Sequence, residues 1–160
     1  MGNIVAVDPG NTKSAFALIE AETYWPIDFG ILDNKSALRA VTGFITATDF
    51  VIERVASYGM AVGREVFETC EWIGRFLQAA EYHGLSVSGM YRKEVTLNLC
   101  KSQRAGDTNV RRALIDRFAS HDLKNGKGTK GNPDWFFGFK ADCWSAYAIG
   151  VTYLDTKRGI

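Results

Sequence analysis

The chain has 160 residues, of which 46 % are apolar and 23 % charged, a composition that fits one hydrophobic core and argues against both a disordered chain and a two-domain enzyme. The net charge is only +1, but residues 1–91 carry eleven acids against six bases, whereas residues 92–140 carry five against eleven. The acidic part suits cation binding and the basic part a polyanion.

Cys70, Cys100 and Cys143 are odd in number and lack CxxC spacing, and the only histidines are His83 and His121. A disulfide framework, a zinc ribbon and a histidine-rich zinc site are therefore not indicated. No apolar run reaches the ~20 residues of a membrane span. The first residues lack the layout of a signal peptide, so a cytoplasmic location is expected.

Ile4–Val7 reads as a strand stopped by Asp8-Pro9-Gly10-Asn11, and Ser14–Ile19 as its hairpin partner. A third strand is expected over Ile27–Leu32, then a short helix capped by Ser36 and running through Ile45. Phe50-Val51-Ile52 forms a buried strand that delivers Glu53. Apolar residues at helical spacing predict the longest helix over Ala61–Tyr82, ended by Gly84. Its Phe67, Trp72 and Phe76 fall on more than one face, as in a helix that serves both core and dimer seam. Leu85–Tyr91 is a fifth strand, Asp107 or Thr108 caps a helix bearing Val110, Leu114 and Phe118, and a last helix starts near Asp142. The Gly- and Lys-rich stretch 120–138 reads as a mobile basic loop. One α/β domain over residues 1–160 is expected, with a five-stranded mixed sheet, antiparallel in its first three strands and parallel in the remainder, flanked by helices.

Three acids stand where chemistry is possible. Asp8 closes the first strand, in a position where turns commonly place Asp. Glu53 follows a buried apolar run, where an unpaired charge is costly. Arg54 is a poor partner for it, because adjacent strand residues face opposite ways. Asp142 opens the last helix, where an acid is more often a cap. Brought together at one sheet edge, the three would repel unless a hard divalent cation neutralised them.

Val7-Asp8-Pro9-Gly10, Val51-Ile52-Glu53-Arg54-Val55 and Asp142-Cys143-Trp144-Ser145-Ala146-Tyr147-Ala148-Ile149-Gly150 resemble the three acidic motifs of RuvC-type Holliday junction resolvases, over nearly the whole chain. The segment from Arg104 to Phe118 is similar to a stretch common in phage and prophage members. The resemblance implies a ribonuclease H-like fold and a homodimer that cuts opposed strands of four-way junctions, with other branched DNA as further substrates. It also implies metal-dependent hydrolysis, with two Mg²⁺ or Mn²⁺ ions held by Asp8, Glu53 and Asp142.

Two departures stand out. Ser145 occupies a position where many relatives have another Asp, leaving a neutral group beside the metal ligands; Asp134, Asp107 or a water could compensate. Lysines that the bacterial pattern places near the active site are replaced by Thr96 and Asp107, with Lys101, Arg104 and Lys140 as substitutes. DNA phosphate contacts are expected from Lys101, Arg104, Arg111, Arg112, Lys124, Lys127, Lys130 and Lys140. Tyr58 is either a packed core residue or a wedge at the junction. Two other readings compete: a branched-DNA-binding protein without catalysis, suggested by Ser145, and an actin- or sugar-kinase-like phosphotransferase, suggested by Asp8-Pro9-Gly10-Asn11-Thr12-Lys13.

Overall fold

The computed structural model describes residues 2–160. Strands β1 (Asn3–Asp8), β2 (Lys13–Ile19) and β3 (Pro26–Asp33) form an antiparallel meander, and helix α1 (Asn34–Gly43) leads into β4 (Ala47–Arg54). Helix α2 (Arg64–Tyr82) crosses to β5 (Ser86–Tyr91), and α3 (Arg92–Cys100), α4 (Asp107–Phe118) and α5 (Cys143–Arg158) complete the chain. The sheet order is β3-β2-β1-β4-β5, with β1, β4 and β5 parallel, so the expected mixed sheet is present.

Alternation along the central strands divides the core in two. Ile4, Ala6 and Val51 face α5 and its neighbours, whereas Val5, Val7, Phe50 and Ile52 face α1 and α2. Extending the same alternation puts Asp8 and Glu53 on the α5 side. Arg54 falls on the α2 side, where its stem lies against Gly89, so it is no partner for Glu53.

The turn after Asp8 is tied down from behind. Buried Ser14 donates to Asn34 Oδ1 at 2.6 Å, Asn34 Nδ2 donates to the Gly10 carbonyl at 2.9 Å, and the Gly10 N–H donates to Ser14 Oγ at 3.2 Å. A Cβ at Gly10 would stand 2.3 Å from the Lys13 carbonyl oxygen, so the tight connection requires glycine.

Several boundaries differ from expectation. Asp33, not Ser36, caps α1: its carboxylate accepts from the Ser36 N–H and hydroxyl. The N-cap of α4 is Gly106, one residue before Asp107 and two before Thr108, the expected caps. Helix α5 is buried on nearly every side from Cys143 to Asp155, rather than along one stripe. It passes so close to the sheet that a Cβ at Gly150 would lie 2.3 Å from Ile19 Cδ1 and 3.2 Å from Ala6 Cβ. Gly150→Ala should therefore lower stability by about 1–3 kcal/mol through overpacking, despite alanine's better helix propensity. A urea unfolding midpoint at or above that of the unsubstituted protein would contradict this close fit.

The stretch 120–138, expected as a mobile loop, lacks helices and strands but has its own framework. The buried Asp134 carboxylate accepts backbone N–H groups from Ser120, His121, Asp122 and Trp135 at 2.7–2.8 Å. Burial alone would raise its pKa, but these donors hold it well below the usual carboxylate range. Asp122 in turn accepts from the N–H groups of Asn125, Lys127 and Gly128. Phe136 is fully buried and, with Phe139, packs against Trp144 and Tyr147 of α5. Asp134 thus organises this segment and is not the compensating acid considered for Ser145.

Candidate active site

Asp8, Glu53 and the start of α3 all lie at the C-terminal edge of the parallel strands, where open α/β sheets commonly bind ligands. Val7 pairs with Ile52 in the register of β1 and β4, so Asp8 and Glu53 are the next neighbours. Both are half-buried, and their side chains are close enough that a proton shared between the two carboxyls works to raise the Asp8 pKa and to lower that of Glu53. Burial, then the negative charges of Glu53 and Asp142, push the Asp8 pKa up to about 8, against the pull of Arg92. Glu53 is also raised, chiefly by burial and further by Asp107 and Asp142, while the proton shared with Asp8, and the charge of Arg92, oppose the shift.

Asp142 occupies the N-cap position of α5, yet its side chain makes no capping hydrogen bond. It is exposed, and its charge is felt by Asp8 and Glu53. The ordinary helix-cap role therefore does not account for it. Ala141 before it has φ of 42°, a left-handed conformation disfavoured for alanine, where the chain turns into the helix. Ser145, half-buried, lies one turn further along α5.

The donor set suits Mg²⁺ or Mn²⁺, because all its candidate ligands are hard carboxylate oxygens. Among the described residues, no group of three or more His, Cys, Asp or Glu side chains is gathered tightly enough to enclose an ion. The arrangement is a pair of neighbouring, electrostatically coupled carboxyls with a third acid in their field.

Two residues outside the expected ligand set complete the charge pattern. Arg92, at the start of α3, forms an ion pair with Asp107 at the start of α4 while pulling on both Asp8 and Glu53. Arg92 was legible in principle: it directly follows a parallel strand at the same sheet edge as the acids. Thr96, by contrast, is buried and bonds back to its own helix.

The remaining basic residues divide by environment. Arg111 lies over the Trp144 ring, 5.0 Å from its centroid, and shares a cavity of about 300 Å³ with Lys124 and Lys127. Arg112 is engaged structurally, with Asp116 and the carbonyls of Leu123 and Lys124. Lys101 closes α3 and donates to the Asn98 carbonyl at 3.0 Å. Arg104, Lys130 and Lys140 are exposed, and Lys140 precedes Asp142 by two residues. Tyr58 is no core residue: it is 53 % exposed, has φ of 50°, and carries Lys93 Nζ 3.9 Å above its ring.

Thermus thermophilus RuvC has the same fold, with a TM-score of 0.73 at 13 % identity over 98 % of this chain and 96 % of that one. The T. thermophilus RuvC structure in complex with a Holliday junction substrate gives a TM-score of 0.72 at 14 % identity over 99 % and 97 %. No protein-family model matches the sequence, and no curated protein matches it. The five-stranded sheet and its flanking helices are thus the ribonuclease H-like arrangement found in RuvC.

Proposed function

We propose that this protein is a metal-dependent endonuclease that resolves four-way DNA junctions and acts on related branched DNA in the cytoplasm. The observation that carries this reading is the half-buried Asp8–Glu53 pair at the edge of β1 and β4, within Asp142's field. Its support is the fold shared with RuvC, one structure of which holds a Holliday junction substrate.

Asp8 and Glu53 would hold the cation between them, with Asp142 closing the site from α5 and up to two ions taken per chain. A divalent ion bound there supplies Lewis-acid stabilisation of the phosphate and a more acidic attacking water. The protein's part is to hold the carboxylates in place: the Ser14–Asn34–Gly10 bonds fix the turn beside Asp8. Binding a cation requires Asp8 to release its proton, so metal affinity rises with pH through about 8.

Cutting two opposed strands requires two sites, and each chain offers one acid pair. A homodimer satisfies this need. Helix α2 is the proposed seam, since Phe76 is buried, Trp72 half-buried and Phe67 62 % exposed on it. The basic segment from Lys101 to Lys140 would bear on the phosphate backbone, and Tyr58 would stack at the junction's open centre.

The half-buried, neutral Ser145 supports a second reading, a junction-binding protein without catalysis. Incubating the protein with labelled four-way junctions, flaps, forks and linear duplex in Mg²⁺ or Mn²⁺ separates the two. Paired nicks in the four-way junction are expected, with little cutting of the duplex. A shifted but uncut junction in both metals would overturn the nuclease reading.

A further inference from the structure

Beside the acid pair, a cavity of about 220 Å³ opens between α3, α4 and α5, lined by Arg92, Asp107, Arg111, Asp142, Trp144 and Ser145. Its volume is below that of ordinary small-ligand pockets and suits a charged group better than a nucleoside. Two guanidinium groups meet here: Arg92 from α3 and Arg111 from α4. Trp144, beneath Arg111, adds a flat aromatic wall. Of the two carboxylates in the lining, Asp107 is paired with Arg92 and Asp142 faces the acid pair's field, so Arg111 has no carboxylate partner of its own.

Arg92 is not locked in place. Its side chain is 33 % exposed and its partner Asp107 is 84 % exposed, and ion pairs at such accessible positions contribute little. Asp107 holds Arg92 through one contact, whereas a phosphodiester can accept a forked pair of hydrogen bonds from the guanidinium. Nucleic acid reaching Asp8, Glu53 and Asp142 also meets the negative charge of this acid cluster, a repulsion that cations at the entrance offset.

We propose that Arg92 and Arg111 grip a backbone phosphate of the DNA strand entering the acid site, and that Asp107 is a built-in competitor that holds Arg92 until the phosphate displaces it. The proposal rests on the DNA-binding part of the function above and not on catalysis. Arg92 is a substrate-binding residue in this scheme, and Asp107 a brake on affinity.

The test is junction binding in EDTA, where nothing is cut, titrated across a range of NaCl concentrations. Arg92→Gln and Arg111→Gln should each weaken binding roughly tenfold and reduce the slope of log affinity against log salt by about one, with melting temperature unchanged. Arg92→Lys should recover the slope but only part of the affinity. Asp107→Asn should tighten binding roughly two- to fivefold, and this gain should vanish in Arg92→Gln/Asp107→Asn. Unchanged affinity and slope in Arg92→Gln would overturn the grip. Equal tightening by Asp107→Asn with and without Arg92 would overturn the competition. Junctions bound in this Arg92-dependent way but never cut in Mg²⁺ or Mn²⁺ would support this inference and overturn the nuclease reading; efficient cutting with no dependence on Arg92 would do the reverse.

Discussion

Asp8→Asn and Glu53→Gln should each reduce junction cleavage by at least about a hundredfold, the scale expected when several kcal/mol of Lewis-acid stabilisation are lost, while binding in EDTA persists. Binding strength should change little below about pH 8, because the pair shares a proton there and one carboxylate's charge remains after either change. Asp8→Asn should also alter stability. Folding takes up a proton at Asp8, since its pKa is 3.8 by default and about 8 in the folded chain. Its contribution is fully present below about pH 4 and is lost as pH rises to about 8. Without metal, the melting temperature of the unsubstituted protein should therefore fall relative to Asp8→Asn across this window. Mg²⁺ should raise it, more at pH 8 than at pH 6, by binding only the folded chain. Parallel pH profiles for the two proteins, with and without Mg²⁺, would show that Asp8 is not a proton-bearing metal ligand.

Arg117→Met should be the most destabilising of the changes considered, by about 3–5 kcal/mol, or roughly 10 °C in melting temperature. Arg117 makes two 2.8 Å hydrogen bonds to Asp155, which also accepts from Tyr24 at 2.7 Å and Asn98 at 2.8 Å. Asp155 is only 1 % exposed, so losing Arg117 strands a buried carboxylate, although Arg117's partial exposure favours the lower end of the range. Burial pushes the Asp155 pKa up, but Arg117, Asn98 and Tyr24 together hold it below the usual range. Their stabilisation is present above about pH 4 and fades as pH falls and Asp155 protonates. The gap between Arg117→Met and the unsubstituted protein should accordingly narrow in acid. A gap that is constant from pH 7 to pH 3 would mean that the loss comes from packing alone. The bonds join α3, α4, α5 and the β2–β3 connection, so this variant also tests the frame that carries Arg92 and Asp142.

Much of the fold was legible because the central strands are unbroken apolar runs bounded by turn residues. Ile4-Val5-Ala6-Val7 and Phe50-Val51-Ile52 are apolar on both faces, as central strands must be, and the acids that end them stand out against that background. Helix α3 was not legible, because it buries only Val95 and Thr96 and presents no apolar stripe. The order within 120–138 was hidden too: it comes from one aspartate gathering four N–H groups, which leaves no periodic trace. Of the site, the sequence showed the three acids but not how they are arranged. The close pairing of Asp8 with Glu53 follows from register, whereas the Arg92–Asp107 ion pair depends on two helix starts fifteen residues apart meeting in space.

Helix α5 gives the third acid a different kind of control from the other two. Asp8 and Glu53 sit within adjacent strands, whereas Asp142 stands at the start of α5, a rod whose close approach to the sheet at Gly150 lies about 12 Å away at 1.5 Å per residue. Tilting that rod by a few degrees changes the span between Asp142 and the pair without touching an acid. Changes at Gly150 or Ile19 that the chain survives should therefore shift the Mg²⁺ concentration needed for cleavage while leaving all three acids in place.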